Sequence, residues 1–176
     1  FWLDYNQFAS NLGVSSDFQQ NNVENPDRKI YVGDKFGYDF NININKAQAW
    51  TQAEYSIGKF DAYAGLQLST MQVWREGFVA NGKFPTGSKG KSDVIPFTNY
   101  GIKGGVTYKI NGRNFITANG SFLTRPPEVN TMFISPETRN DITQGVTSEQ
   151  VASYELSYLL KSPAFKARAT YYNTSI

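Results

Sequence analysis

Residues 100–122 read YGIKGGVTYKINGRNFITANGSF, and this stretch decides the fold class. Tyr100, Ile102, Val106, Tyr108 and Ile110 recur against Asn99, Lys103, Thr107 and Lys109 with the two-residue period of a strand whose faces differ chemically. Asn111-Gly112 signals a tight turn. Ile116, Ala118, Gly120 and Phe122 then continue the apolar face on the way back, with Thr117, Asn119 and Ser121 behind it. No comparable helical period runs through the stretch.

The same alternation extends in both directions. Upstream, Ala47, Ala49, Thr51, Ala53, Tyr55 and Ile57 oppose Lys46, Gln48, Gln52 and Glu54, with Trp50 an apolar exception on the polar side. Phe40, Ile42 and Ile44 sit in the opposite phase, which predicts a bulge near Asn45. Gly58-Lys59 closes a turn into a run where Ala62, Ala64, Leu66 and Leu68 oppose Asp61, Gln67 and Ser69. Downstream, Ala152, Tyr154, Leu156, Tyr158 and Leu160 oppose Ser153, Glu155 and Ser157, and Phe165, Ala167, Ala169 and Tyr171 return against Lys166, Arg168 and Thr170. The expected strands cover 38–57, 61–75, 97–110, 115–123, 149–160 and 165–176. Residues 1–37, rich in Asn, Gln and Asp, read as a loop region with a short helical turn near Tyr5 to Leu12.

The connections alternate too: short at 58–60, long at 76–96, short at 111–114, long at 124–148, short at 161–164. Short and long loops therefore belong to opposite ends of the sheet. Together with long strands, this is the pattern of an antiparallel transmembrane β-barrel with short periplasmic turns and long extracellular loops. Lys, Gln, Thr, Asn, Ser and Glu recur in one phase, as a wet lumen requires, while the apolar phase would meet lipid. Tyr55, Tyr108, Tyr158 and Phe165 stand near the short turns, where an interfacial aromatic girdle would lie. The first run would extend roughly 65 Å at ~3.3 Å per residue. That exceeds the ~9–11 residues needed to cross a bilayer, so its far end is expected to project on the long-loop side.

Composition excludes much else. The 176 residues carry 17 Lys plus Arg against 15 Asp plus Glu, a net charge of +2 too small and too interspersed to argue for a nucleic-acid partner. With no Cys and no His, disulfides, zinc-thiolate sites and the commonest general base are outside the reach of this chain. No metal site, cofactor or catalytic constellation is expected, and the chain reads as something other than an enzyme. It starts at Phe1-Trp2-Leu3-Asp4 with no initiator Met or signal-like segment, so its true N-terminus is expected elsewhere.

At residues 114–174 the chain resembles a known family. Asn114 to Leu123 running into Thr124-Arg125-Pro126-Pro127 is similar to the strand and loop start of TonB-dependent outer-membrane receptors. Ser148-Glu149-Gln150 with Ser153 to Tyr158 resembles the family's next strand, with Ser157 where Gly is usual, and Phe165 to Thr174 resembles the one after that. The Asn-rich loops and Tyr-rich strands resemble receptors of the Bacteroidetes group. Before Asn114 the likeness is architectural. The resemblance implies an internal or C-terminal-half stretch of a barrel of ~22 strands around a plug. The implied activity is import of a scarce nutrient across the outer membrane with TonB-coupled energy. The implied partners are outer-membrane lipid, the TonB complex through an N-terminal part absent from this chain, and a SusD-type surface lipoprotein. Plug domain and TonB box are not found in the sequence. Siderophore, haem, cobalamin, oligosaccharide and peptide all stay open as ligands.

Within that frame, Trp74, Phe78, Phe84 and Phe133 are candidate ligand-stacking aromatics of the long loops. Glu54, Lys103, Glu155 and Arg168 fall in the lumen phase, where wall or plug ion pairs are expected. Arg125, Pro126 and Pro127 read as a rigid strand exit, because two prolines fix φ and end pairing. Two other readings predict differently. A small complete barrel of ~8 strands with a structural or adhesive role would need further strands within residues 1–36. A soluble secreted glycan-binding β-sandwich would turn Ala62, Leu66, Ile102 and Leu156 toward a dry core.

Overall fold

The computed structural model of the chain describes residues 5–26 and 28–176. Helices α1 (Tyr5–Leu12) and α2 (Ser16–Gln19) come first, then strands β1 (Phe40–Ile57) and β2 (Phe60–Gly77), the short β3 (Gly90–Lys91), β4 (Ile95–Lys109) and β5 (Asn114–Arg125). Helix α3 (Val129–Met132), β6 (Glu149–Lys161) and β7 (Lys166–Ser175) complete the order. All seven strands join one sheet in the order β1-β2-β4-β5-β6-β7, with β3 paired to β2. The chain is therefore all-β in class, and the sheet is open, with β1 and β7 at its edges.

The six expected runs correspond to β1, β2, β4, β5, β6 and β7, each limit lying within two residues of the expected one. β1 and β2 are each 18 residues long, about 60 Å at the rise of a strand. They turn on Gly58, whose φ of 57° lies in the left-handed region that a two-residue hairpin requires. The β4–β5 turn is set by Asn111, whose Oδ1 accepts from the backbone N–H groups of Arg113 and Asn114, both at 2.9 Å. The β6–β7 turn closes through Ser162 N–H to the Phe165 carbonyl at 2.8 Å.

Register is what makes the two faces uniform. Val106 pairs with Ala118, Ala118 with Leu156, and Leu156 with Tyr171, so apolar meets apolar across four strands. The intervening positions pair Thr107 with Thr117, Thr117 with Ser157, and Ser157 with Thr170. Their hydroxyls bond across the sheet, at 3.0 Å for Thr107–Thr117 and 3.0 Å for Ser157–Thr170. A one-residue slip would exchange the faces, so these pairs fix the register chemically.

The chain divides into two compact units. A sheet unit comprises Lys46–Met71, Phe97–Pro127 and Thr147–Ile176. A loop unit comprises Phe1–Asn45, Gln72–Pro96 and Glu128–Val146. The loop unit has the more usual core, with Ala9, Val73, Ala80, Ile95, Met132 and Phe133 buried. Its N-terminal segment is laced to the first long connection by Val23 N–H to the Ala80 carbonyl and Gly82 N–H to the Gln20 carbonyl, both at 2.9 Å.

Candidate functional site

The faces of the sheet unit are the reverse of what water-soluble sheets show. Leu66 is 57% exposed, Ile102 54% and Leu156 52%, and Tyr100, Val106, Tyr154, Tyr158 and Tyr171 are exposed with them. On the other face Ser69, Asn99 and Ser157 are buried, and Gly65 is covered by the Lys103 side chain. Asn99 is buried, and neither atom of its amide has a hydrogen-bond partner among the described residues. Scattered exposed apolar residues are ordinary, but a continuous stripe over several strands marks a surface that meets something apolar.

The polar face is stitched by side chains. Tyr63 Oη donates to Asn119 Oδ1 at 3.1 Å, and the space for that ring exists because residue 105 is Gly. Lys109 Nζ meets Asp61 Oδ1 at 2.6 Å near the short turns, and Arg125 Nε meets Glu149 Oε2 at 2.9 Å at the other end of β5. Of the lumen-phase charges expected from the sequence, Glu155 and Arg168 come together at 4.0 Å, and Glu155 also accepts from Ser157 Oγ at 2.8 Å. Glu54 accepts from the Gln52 amide at 2.7 Å instead of meeting a cation. Lys103 has no ion pair among the described residues. Arg125 is the last residue of β5, and strand pairing stops before Pro126-Pro127 as expected.

A groove of about 510 Å³ lies across β1, β2, β4 and β5, lined by Gln48, Trp50, Gln52, Gln67, Lys103 and Leu123, with Gly65 and Gly101 between them and residues of the opposite phase such as Leu66 and Ile102 also contributing. Sequence reading singled out Trp50 only as an exception to the pattern. Its setting depends on neighbours 15 to 73 positions away, which no local window displays.

In the loop unit the organising residue is Arg75, also missed by sequence reading. It is 1% exposed. Its Nε donates to the Pro136 carbonyl at 2.5 Å, and its Nη1 donates to the Ser88 carbonyl at 2.7 Å and to Asn140 Oδ1 at 2.5 Å. Its guanidinium lies 5.0 Å over the Phe40 ring. Burial pushes its pKa below the usual arginine value, yet the guanidinium remains charged because it starts so high. Gly77 is obligatory beside it, since a Cβ there would run into the Ser88 carbonyl and the Arg75 guanidinium.

The loop aromatics do not gather into one surface. Phe133 is 2% exposed and belongs to the core, a correction to its expected role as a stacking platform. Its burial follows from the bridge it makes with Ile142, which folds the second long connection over it. Trp74 is partly shielded under Lys91 at 4.6 Å, and Phe84 lies under Arg139 at 4.9 Å. Phe78 is exposed. No ring contact joins any two of the four among the described residues. Among the described residues no group of three or more acidic side chains is placed to hold a metal ion.

No family model matches the chain, and no curated protein or solved structure matches it.

Proposed function

We propose that this chain is part of the wall of a transmembrane β-barrel in the outer membrane, with long connections on the extracellular side and short turns on the periplasmic side. The observation that carries the reading is the exposed apolar stripe of Leu66, Ile102, Val106, Leu156 and Tyr171 opposite a face of hydroxyls, amides and ion pairs. In water such an arrangement leaves the hydrophobic effect unused. In lipid it places each face in its matching solvent, and the sheet ladder satisfies the backbone groups that lipid cannot. Tyr108 and Tyr158 stand at the short-turn ends of that stripe with Phe60, whose ring packs 5.0 Å from Tyr108, as an interfacial girdle would.

The open edges support the same reading. β1 exposes nearly its whole length and β7 all of it, and long uncovered edge strands invite pairing. Further strands on both sides would complete a barrel. The resemblance at Asn114 to Thr174 supports reading that barrel as a TonB-dependent receptor, importing a scarce nutrient past a plug with a SusD-type lipoprotein and the TonB complex as partners. No helix among the described residues is long and apolar enough to cross a membrane, which bears only on helices.

Fractionation of cells that make the full gene product tests this. Recovery with the outer membrane, released by detergent only, is the expected result. Recovery in the periplasm or medium without detergent overturns it.

A further inference from the structure

The chain contains three Asn-Gly pairs, Asn81-Gly82, Asn111-Gly112 and Asn119-Gly120. In such a pair the glycine nitrogen can attack the asparagine side-chain carbon, because no Cβ on the second residue stands in the way. The reaction needs that nitrogen to be free. It also needs donors around the carboxamide oxygen, which gains negative charge as the nitrogen adds.

In two of the pairs the glycine is engaged. Gly82 N–H donates to the Gln20 carbonyl at 2.9 Å, and a Cβ on Gly82 would run into the Asp17 carbonyl. Gly120 lies inside β5, paired with Gly104 on one side and Tyr154 on the other, and the Asn119 carboxamide is held by the Tyr63 hydroxyl. The third pair differs in every respect. Gly112 is exposed in the β4–β5 turn, and its N–H has no hydrogen-bond partner among the described residues. Nothing lies within 4 Å of where its Cβ would be. Asn111 Oδ1 accepts from three donors, the backbone N–H groups of Arg113 and Asn114 and the Asn114 Nδ2, each at 2.9 Å. These bonds fold the carboxamide over the main chain that follows it, and they stand where an oxyanion would form. Tyr158 Oη donates to Asn114 Oδ1, which turns the Nδ2 of that amide toward Asn111.

We infer that Asn111 is a site of spontaneous deamidation, the turn supplying both the nucleophile and the donors that stabilise the oxyanion. Gly112 N forms a bond to Asn111 Cγ and gives up its proton to solvent. The Cγ–Nδ2 bond then breaks, and Nδ2 takes a proton and leaves as ammonia. Water opens the cyclic imide at either carbonyl, to aspartate or to isoaspartate, so one water is consumed for each ammonia released and nothing is oxidised or reduced. Aspartate keeps the acceptor that caps the turn and adds a negative charge near Lys59, whose Nζ donates to the Ile110 carbonyl at 3.3 Å. Isoaspartate lengthens the main chain and would disturb the bond from Ile110 N–H to the Asn114 carbonyl at 3.0 Å. The inference rests on the turn alone and holds whichever solvent meets the apolar face.

The test is incubation of the folded, detergent-purified full gene product in mildly alkaline buffer made with heavy-oxygen water, followed by peptide mass spectrometry over the three pairs. Asn111 is expected to take up heavy oxygen about tenfold or more faster than Asn81 and Asn119. After denaturation in guanidinium chloride the three rates are expected to converge, because the folded structure sets the difference. Gly112→Ala, which the open space beside the turn accommodates, should slow the reaction about tenfold or more. Asn114→Asp keeps an acceptor for Tyr158 and turns a donor to Asn111 into an acceptor, and should slow it about fivefold. The inference is overturned if Asn111 reacts no faster than the other two in the folded protein, or if its lead persists unchanged on denaturation. It is also overturned if Asn114→Asp reacts as the unaltered protein does.

Discussion

Arg75 Nη1 donates to Asn140 Oδ1 at 2.5 Å and, with the Nε bond to the Pro136 carbonyl, ties strand β2 to the second long connection. Asn140 in turn gives its backbone N–H to the Gly87 carbonyl at 2.6 Å, and Arg75 holds Ser88 next door, so the two long connections share one anchor. No carboxylate among the described residues pairs with the guanidinium, and its charge is met by carbonyl oxygens and the Phe40 ring. A charge buried in this way is stable only while all its acceptors are in place.

Arg75→Met should therefore loosen the loop unit by about 3 kcal/mol, since it strips the Pro136, Ser88 and Asn140 oxygens of a charged donor. Limited proteolysis is the measurement: cleavage within 78–94 and 126–148 should accelerate together. Independent behaviour of the two segments would show that they do not share the anchor.

Gly105→Ala should disturb the polar face. A Cβ there would crowd Asn119 Oδ1 and lie 2.6 Å from the Tyr63 ring, breaking the bond between those two side chains. The expected loss is on the order of 1–3 kcal/mol, the range for overpacking. Thermal unfolding in detergent reads it, and Tyr63→Phe/Gly105→Ala should recover little, because the clash is with the ring and not the hydroxyl.

Arg125→Ala should change stability by less than about 1 kcal/mol, because its pair with Glu149 is half exposed on both sides. Replacing Pro126-Pro127 by two alanines should matter more for where pairing of β5 ends. Hydrogen exchange at Thr124 and Arg125 would show protection unchanged in the first variant and altered in the second.

Much of this architecture was written in the sequence, and the reason is periodicity. Tyr100 to Phe122 alternate so regularly that both strands, their turn at Asn111-Gly112 and their two faces follow from spacing alone, whereas Tyr5 to Leu12, read as one short helical turn within a loop region, forms an eight-residue helix. β3 and α3 escaped because two and four residues carry no period. Arg75 looked like any strand arginine, since its partners at Ser88, Pro136 and Asn140 offer carbonyl and amide oxygens and leave no charge pattern to read. Phe133 looked like a loop aromatic because only the bridge to Ile142 reveals that it is covered. Trp50 broke the alternation visibly, but Gly65, Gln67 and Gly101 beside it belong to other strands.

Leu156→Arg separates the possible surroundings of the apolar stripe by energy. Leu156 is more than half exposed and touches no protein core, so in water the change should fall within about 0.5 kcal/mol. Facing lipid near the midplane it should cost about 2–4 kcal/mol. Denaturant unfolding from lipid vesicles measures the difference.

The central claim is that the apolar face meets lipid and the polar face meets water. Because the chain has no cysteine, single cysteines at Leu66, Ile102 and Leu156 and at Gln67, Lys103 and Glu155 can each carry one fluorophore in reconstituted full-length protein. The account predicts quenching of the first three by a lipid-borne quencher and of none of the second three. Equal shielding of Leu66, Ile102 and Leu156 from lipid and from aqueous quenchers would place them in a dry protein core and contradict it.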